Sequence, residues 1–185
     1  MMIEQATLKE QFDNCADIRF QTFDFPASNV MLITCEAMTD NHLFNEVVVP
    51  RLKVACHQKD QFDEESLMQK LHLPQLQKID DLQEAVTNVF SGFILIYIES
   101  LKILLCSNIE KKPNRSPEET NLEVLIKGPR DNFIEDLGVN IALIRKRLPT
   151  NSLSVEKMTI GTRSKTKVAI LYFNDIADLS ILKQI

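Results

Sequence analysis

The chain has 185 residues, 44% of them hydrophobic, and a formal net charge of −5. That length allows one large domain or two small ones with a buried core. No apolar run reaches the roughly 20 residues of a membrane-spanning helix, and the opening MMIEQATLKE lacks the basic start and apolar stretch of a secretory signal, so a soluble chain is expected. Cys15, Cys35, Cys56 and Cys106 are scattered without a close pair, which fits reduced, buried thiols of a cytosolic compartment. Charge is uneven: residues 1–126 carry −9 and residues 127–185 carry +4, so the two parts are expected to face different partners.

Thr7 to Cys15 reads as a short helix with Leu8 and Phe12 four apart. Ile18 to Phe25 alternates as a strand, a turn follows at Pro26-Ala27-Ser28-Asn29, and Val30 to Cys35 reads as a strand buried on both faces. Thr39 or Asp40 is placed to cap a helix through Phe44 and Val48 to beyond Pro50. Gln61 to Leu73 is again helical, its acidic Asp63-Glu64-Glu65 suited to a helix start, and Asp80 or Asp81 opens a helix that ends at Gly92. Phe93 to Ile98 and Leu101 to Cys106 are predicted as a strand pair joined through Glu99-Ser100. Ile109 to Asn121, with two prolines and many charges, reads as a linker, and Leu122 to Ile126 as a short strand.

Gly128 to Leu148 is then predicted as one helix. Asp131 and Asn132 are its candidate caps, Pro149 its stop, and Phe133, Leu137, Ile141, Ile144 and Leu148 its apolar stripe. Asp131, Glu135 and Asp136 near the start and Arg145, Lys146 and Arg147 at the end complement the helix dipole. Two residues stand out. Asn140 falls on the stripe and needs hydrogen-bond partners, and Gly138, placed mid-helix, costs about 1 kcal/mol relative to alanine. Leu153 to Ile160 and Lys167 to Phe173 follow as strands around the turn Gly161 to Thr166, and Asp178 opens a last helical segment.

Aligning Val30 with Val168 pairs VMLITCEAMTDNHLFNEV with VAILYFNDIADLSILKQI without a gap. Each copy has an apolar strand, a polar turn and an aspartate, Asp40 or Asp178, placed to cap a helix. The expected fold is therefore α/β, of the α+β kind: two related subdomains of helix-strand-strand-helix units, at residues 1–110 and 122–185, joined by a linker at 111–121. The second is incomplete, with no counterpart to residues 60–108.

Three stretches carry a family pattern: GPRDNFIED (Gly128 to Asp136), NIALIRKR (Asn140 to Arg147) and IGTRSKTKVAILY (Ile160 to Tyr172). They resemble the N-terminal region of the A subunit of GerA-family spore germination receptors. The likeness is dense over residues 124–185; before that it rests on LKEQFDNCADI (Leu8 to Ile18) and SGFILIYIES (Ser91 to Ser100). The resemblance implies a soluble region of two related subdomains, ahead of a multi-helix membrane segment in the full protein. It also implies residence in the spore inner membrane and work with B and C subunits in the response to nutrients. The chain departs from the pattern in lacking the membrane segment and the rest of the second subdomain, in Ser100 at the hairpin turn, and around Pro117.

No chemistry of a recognisable kind is expected, and neither a cofactor nor a metal. His42, His57 and His72 are spread apart, and adjacent Cys56-His57 diverge on a helix. No nucleophile-base pair points to an enzyme. The turn Arg163-Ser164-Lys165-Thr166-Lys167 could hold an anion but lacks a phosphate-binding loop. Two Tyr, no Trp and an acidic total argue against nucleic acid. The binding or interface residues expected are Arg130, Asn140, Arg145, Arg147, Arg163 and Lys165. Asn140, Arg145 and Arg147 are read as linking subdomains or subunits through a backbone hydrogen bond and a carboxylate pair. A second reading places a small nutrient, an amino acid or sugar, in a cleft between the subdomains.

Overall fold

Alternation on the central strands builds the larger part of the molecule. The computed structural model describes residues 3–57, 62–111, 133–182 and 184. Helix α1 (Gln5–Glu10) leads to strands β1 (Ile18–Asp24) and β2 (Asn29–Cys35). In β2 successive side chains point to opposite faces, so Val30 and Leu32 enter one core and Met31 and Ile33 the other. Strands β4 (Phe93–Ile98) and β5 (Ile103–Asn108) do the same, Ile94 and Ile96 opposing Leu95 and Tyr97. With β3 (Gln77–Ile79) they form a five-stranded antiparallel sheet in the order β1-β2-β4-β5-β3.

Each face is covered by helices whose apolar residues recur at helical spacing. One face takes α1 and α5 (Leu82–Phe90), through Leu8, Val86, Val89 and Phe90. The other takes α2 (Asn41–Leu43), a π turn (Phe44–Val48), α3 (Val49–Ala55) and α4 (Glu64–Leu71), through Val48, Leu52, Leu67 and Leu71. Each such fully buried side chain contributes roughly 1.5–3 kcal/mol. The π turn precedes Pro50, where the missing N–H and the ring would otherwise break an α-helix. Of the paired cap candidates, Asp40 rather than Thr39 and Asp81 rather than Asp80 bind the first helical N–H groups.

The remaining elements are α6 (Leu137–Arg147), a hairpin of β6 (Leu153–Ile160) and β7 (Thr166–Phe173), and the single turn α7 (Leu179–Leu182). The order helix, strand, strand, helix recurs, and Asp178 accepts from Ser180 N–H as Asp40 does from His42 N–H. The two copies differ in burial. Strand β2 is buried along nearly its whole length, whereas β7 is nowhere fully buried.

Three sequence expectations change. Helix α6 starts at Leu137, capped by Asp136, whose carboxylate accepts from Val139 N–H. Phe133 lies outside that helix and is 67% exposed, Leu148 is exposed, and of the predicted stripe only Ile141 is buried. An acidic cap four residues nearer the basic end gives the backbone its first partner there, so the shorter helix satisfies its N–H groups. Gly138 is thus a first-turn residue, and a Cβ on it would meet Asp136 Oδ1 at 3.1 Å. The β4–β5 connection is four residues rather than two. It runs from Glu99 to Lys102, with Lys102 left-handed, and β5 begins at Ile103. Strand β3 was not foreseen, because three residues following a proline turn carry no periodic signal. The candidate caps Asp131 and Asn132, the strand Leu122 to Ile126, Arg130 and most of the predicted linker lie outside the described residues.

Candidate functional site at the seam between the two sheets

The C-terminal hairpin meets the larger sheet along one seam, built mainly of polar groups. At its centre Cys15 and Val155 form a parallel bridge: Ala16 N–H donates to Val155 O at 2.9 Å and Val155 N–H to Asn14 O at 2.9 Å. Asn151 donates to Gln11, and Lys157 Nζ to Glu36 Oε2 at 2.8 Å, while Arg19 also pairs with Glu36. The bond from Lys157 is the main reason that the Glu36 carboxyl titrates below its ordinary value.

Arg145 is the anchor. It lies four residues after Ile141, on the same face of α6, and both are buried. Its guanidinium makes a two-pronged pair with Asp17, Nε to Oδ2 at 2.7 Å and Nη2 to Oδ1 at 2.9 Å. Nη1 donates to Thr150 O at 2.8 Å, and Cζ stands 3.9 Å from the ring centroid of Phe90. Both Arg145 and Asp17 are 0% exposed. Burial works against the arginine's charge, but the hydrogen bonds and charge of Asp17 offset it and hold its pKa above the ordinary value. Two thiols flank the pair: Cys35 Sγ is 3.7 Å from Asp17 Oδ2, and Cys15 Sγ is 3.8 Å from Leu153 O. Burial pushes the Cys35 thiol up to about 12 and also raises that of Cys15.

Next to this pair is a cleft of about 250 Å³, lined by Met38, Phe90, Ser91, Phe93 and Glu110 of the N-terminal part and by Lys146 and Pro149 of the C-terminal part. The Phe90 ring serves both features, with Arg145 above it and the cleft beside it. Glu110 is held close to the backbone turn at Gly92, which has a φ of +92° and leaves only 2.9 Å between a would-be Cβ and Glu110 Cγ.

Of the six residues singled out in the sequence, Arg130 lies outside the described residues and the other five do not converge. Arg145 stands at the seam. Asn140 binds its own segment, donating to Ile134 O at 2.7 Å and accepting from Ile134 N–H at 2.8 Å. Arg147 is exposed in the last turn of α6. Arg163 and Lys165 are exposed at the β6–β7 tip; at roughly 3.3 Å per residue along β6, the tip is about 17 Å or more from Val155. Among the described residues no group of three or more His, Cys, Asp or Glu comes together as metal ligands would. Asp17 was not among the candidates, and its only sequence signal is its place in the family-like LKEQFDNCADI opening.

The family model for Bacillus/Clostridium GerA spore germination proteins matches residues 6–185. The chain belongs to the GerA family. Spore germination protein XA of Bacillus anthracis is 29% identical over 192 residues, covering 99% of this chain and 38% of that protein. The membrane protein YfkQ of Bacillus subtilis is 30% identical over 186 residues, 95% of this chain and 36% of its own length. This GerA-family chain therefore spans less than two-fifths of those relatives. Its fold is similar to the crystal structure of the N-terminal domain of the A subunit of the Bacillus megaterium spore germinant receptor GerK3. That likeness has a TM-score of 0.73 at 20% identity and covers 97% of this chain and 66% of that one. The mixed helix-and-sheet fold expected from the sequence is the one found. No helix among the described residues is long and apolar enough to cross a membrane.

Proposed function

We propose that this chain acts in nutrient-triggered spore germination as the N-terminal module of a germinant receptor A subunit, in sensing or in subunit assembly. The supporting observation is the fully buried Arg145–Asp17 pair, which ties α6 to the larger sheet inside a fold of the GerA family. A buried two-pronged pair is geometrically exacting, so it sets the angle between the two parts. In this reading residues 1–110 and 122–185 are subdomains joined by the linker 111–121. B and C subunits of the receptor are the partners, and the full-length protein resides in the spore inner membrane with this module on the core side. No catalytic step is assigned to it. Affinity purification of the tagged chain from spore membranes tests the reading: B and C subunits should co-purify, and their absence from the eluate sinks it.

The cleft favours a second reading, in which a small nutrient, an amino acid or a sugar, binds between the subdomains. Phe90, Phe93 and Met38 offer apolar surface, while Glu110 and Lys146 offer opposite charges. Calorimetric titration of the chain with a nutrient panel should give heat that Lys146→Ala and Glu110→Gln abolish. Heat unchanged in both variants would exclude this cleft.

A further inference from the structure

The two sheets are unequal in what holds them together. Both cores belong to the five-stranded sheet; among the described residues of the C-terminal part, Ala142 is the hydrophobic side chain that packs against one of them, and Arg145 stacks on Phe90 at its edge. Among the described residues after 132, the buried ones are Ile141, Arg145, Leu153, Ser154 and Val155, and Arg145 is the largest of these. Leu153 and Val155 lie on the part of β6 that meets the seam, while β7 stays half-exposed and the rest of β6 is largely open. The C-terminal part thus gains its burial by docking. The contacts that dock it are mostly hydrogen bonds and ion pairs, each of which water can replace on separation.

We propose that the Asp17–Arg145 pair is a latch: the C-terminal part opens away from the five-stranded sheet as a unit, the sheet stays folded, and Cys15 is uncovered when it does. The proposal does not depend on the receptor reading. In a closed seam both charges give up their water for each other, so the pair holds geometry while adding little net stability. Opening rehydrates both, so the cost of opening falls below that of unfolding the two apolar cores. Cys15 sits in the moving joint, since its residue bridges Val155 and its sulfur faces Leu153 O. Cys15 lies at 4% exposure in the same core as Cys106, but only Cys15 also bonds to the C-terminal part; Cys56 and Cys106, both 0% exposed, make none of the seam's hydrogen bonds. They become accessible only when the sheet itself unfolds.

Three of the four thiols, Cys15, Cys56 and Cys106, therefore test the latch in the intact chain. Brief exposure to a maleimide at neutral pH, read residue by residue by mass spectrometry, should label Cys15 at least about tenfold faster than Cys56 and Cys106. Arg145→Gln should raise the Cys15 rate by about tenfold or more and leave the other two within about twofold. Arg145 also favours the Cys15 thiolate, so its loss lowers intrinsic reactivity and works against the expected gain. Asp17→Leu combined with Arg145→Met removes both charges and should return the Cys15 rate to the wild-type value or below. Equal rates for Cys15, Cys56 and Cys106 in the unaltered chain would overturn the latch, and this reading stands even if Arg145→Gln fails to fold. A double variant as labile at Cys15 as Arg145→Gln would show that the charges do not act as a pair, and would also overturn it.

Discussion

Arg145 carries the buried positive charge at the seam between the two parts, and its replacement leaves the Asp17 carboxylate without its two-pronged partner. Arg145→Gln is expected to cost about 3–5 kcal/mol in chemical denaturation, the range for breaking one side of a buried pair. Arg145→Lys should recover only part of it, because one ammonium cannot span both Asp17 oxygens and also reach Thr150 O. Asn140→Ala, by contrast, removes two bonds to Ile134 in a half-exposed segment; about 1 kcal/mol is expected, with the seam unchanged. Cys35 gives a pH signature. A cysteine thiol in the unfolded chain titrates near 9.0, and burial pushes Cys35 up to about 12. The unfolded chain therefore loses that proton first, so stability from this group is full below pH 9 and falls as pH rises towards 12. Denaturation midpoints should decline over that window, and less steeply in Cys35→Ala. An identical slope would mean that Cys35 contributes nothing to it.

At the scale of elements, local chemistry explains most starts and stops. Asp40, Asp63, Asp81 and Asp136 each stand before a helix and bind its N–H groups; the sequence offers Asp40 and Asp81 as caps, each beside a neighbour, and Asp63 as part of an acidic helix start. Helix α6 was misread because Asp131, Asn132 and Asp136 are all competent caps, and spacing alone does not choose between them. Asp136→Ala should weaken α6 by about 1 kcal/mol, seen as faster amide exchange at Val139 and Asn140. The β6–β7 tip depends on Gly161, whose φ of +85° is a conformation that a residue with a Cβ adopts only under strain; a would-be Cβ there would also displace the Ser164 hydroxyl. Gly161→Ala is expected to cost about 1 kcal/mol or more and to speed exchange in β6, while the five-stranded sheet keeps its protection.

At the scale of the whole molecule, the two cores on either side of one sheet predict that residues 1–111 keep their far-UV circular dichroism as a separate polypeptide. Residues 122–185 should not, since the few buried side chains among their described residues are buried by docking. A cooperative unfolding transition in the shorter piece alone would contradict this. The alternating and helical periods of the chain were enough to show most strands and helices, because those signals are local and survive without neighbours; the family likeness rested on the motifs GPRDNFIED, NIALIRKR and IGTRSKTKVAILY. Arg145 stands in the family-like NIALIRKR stretch, which singled it out together with Asn140 and Arg147 as a linking residue. Its carboxylate could not be found that way. Asp17 is 128 positions away in sequence, and nothing in local spacing couples two residues that meet only after a five-stranded sheet has formed. The sequence by itself determined most of the strands and helices, and its motifs carried the family likeness. Only the tertiary structure decided which charges lose their water together, because desolvation belongs to the packed molecule and not to any stretch of chain.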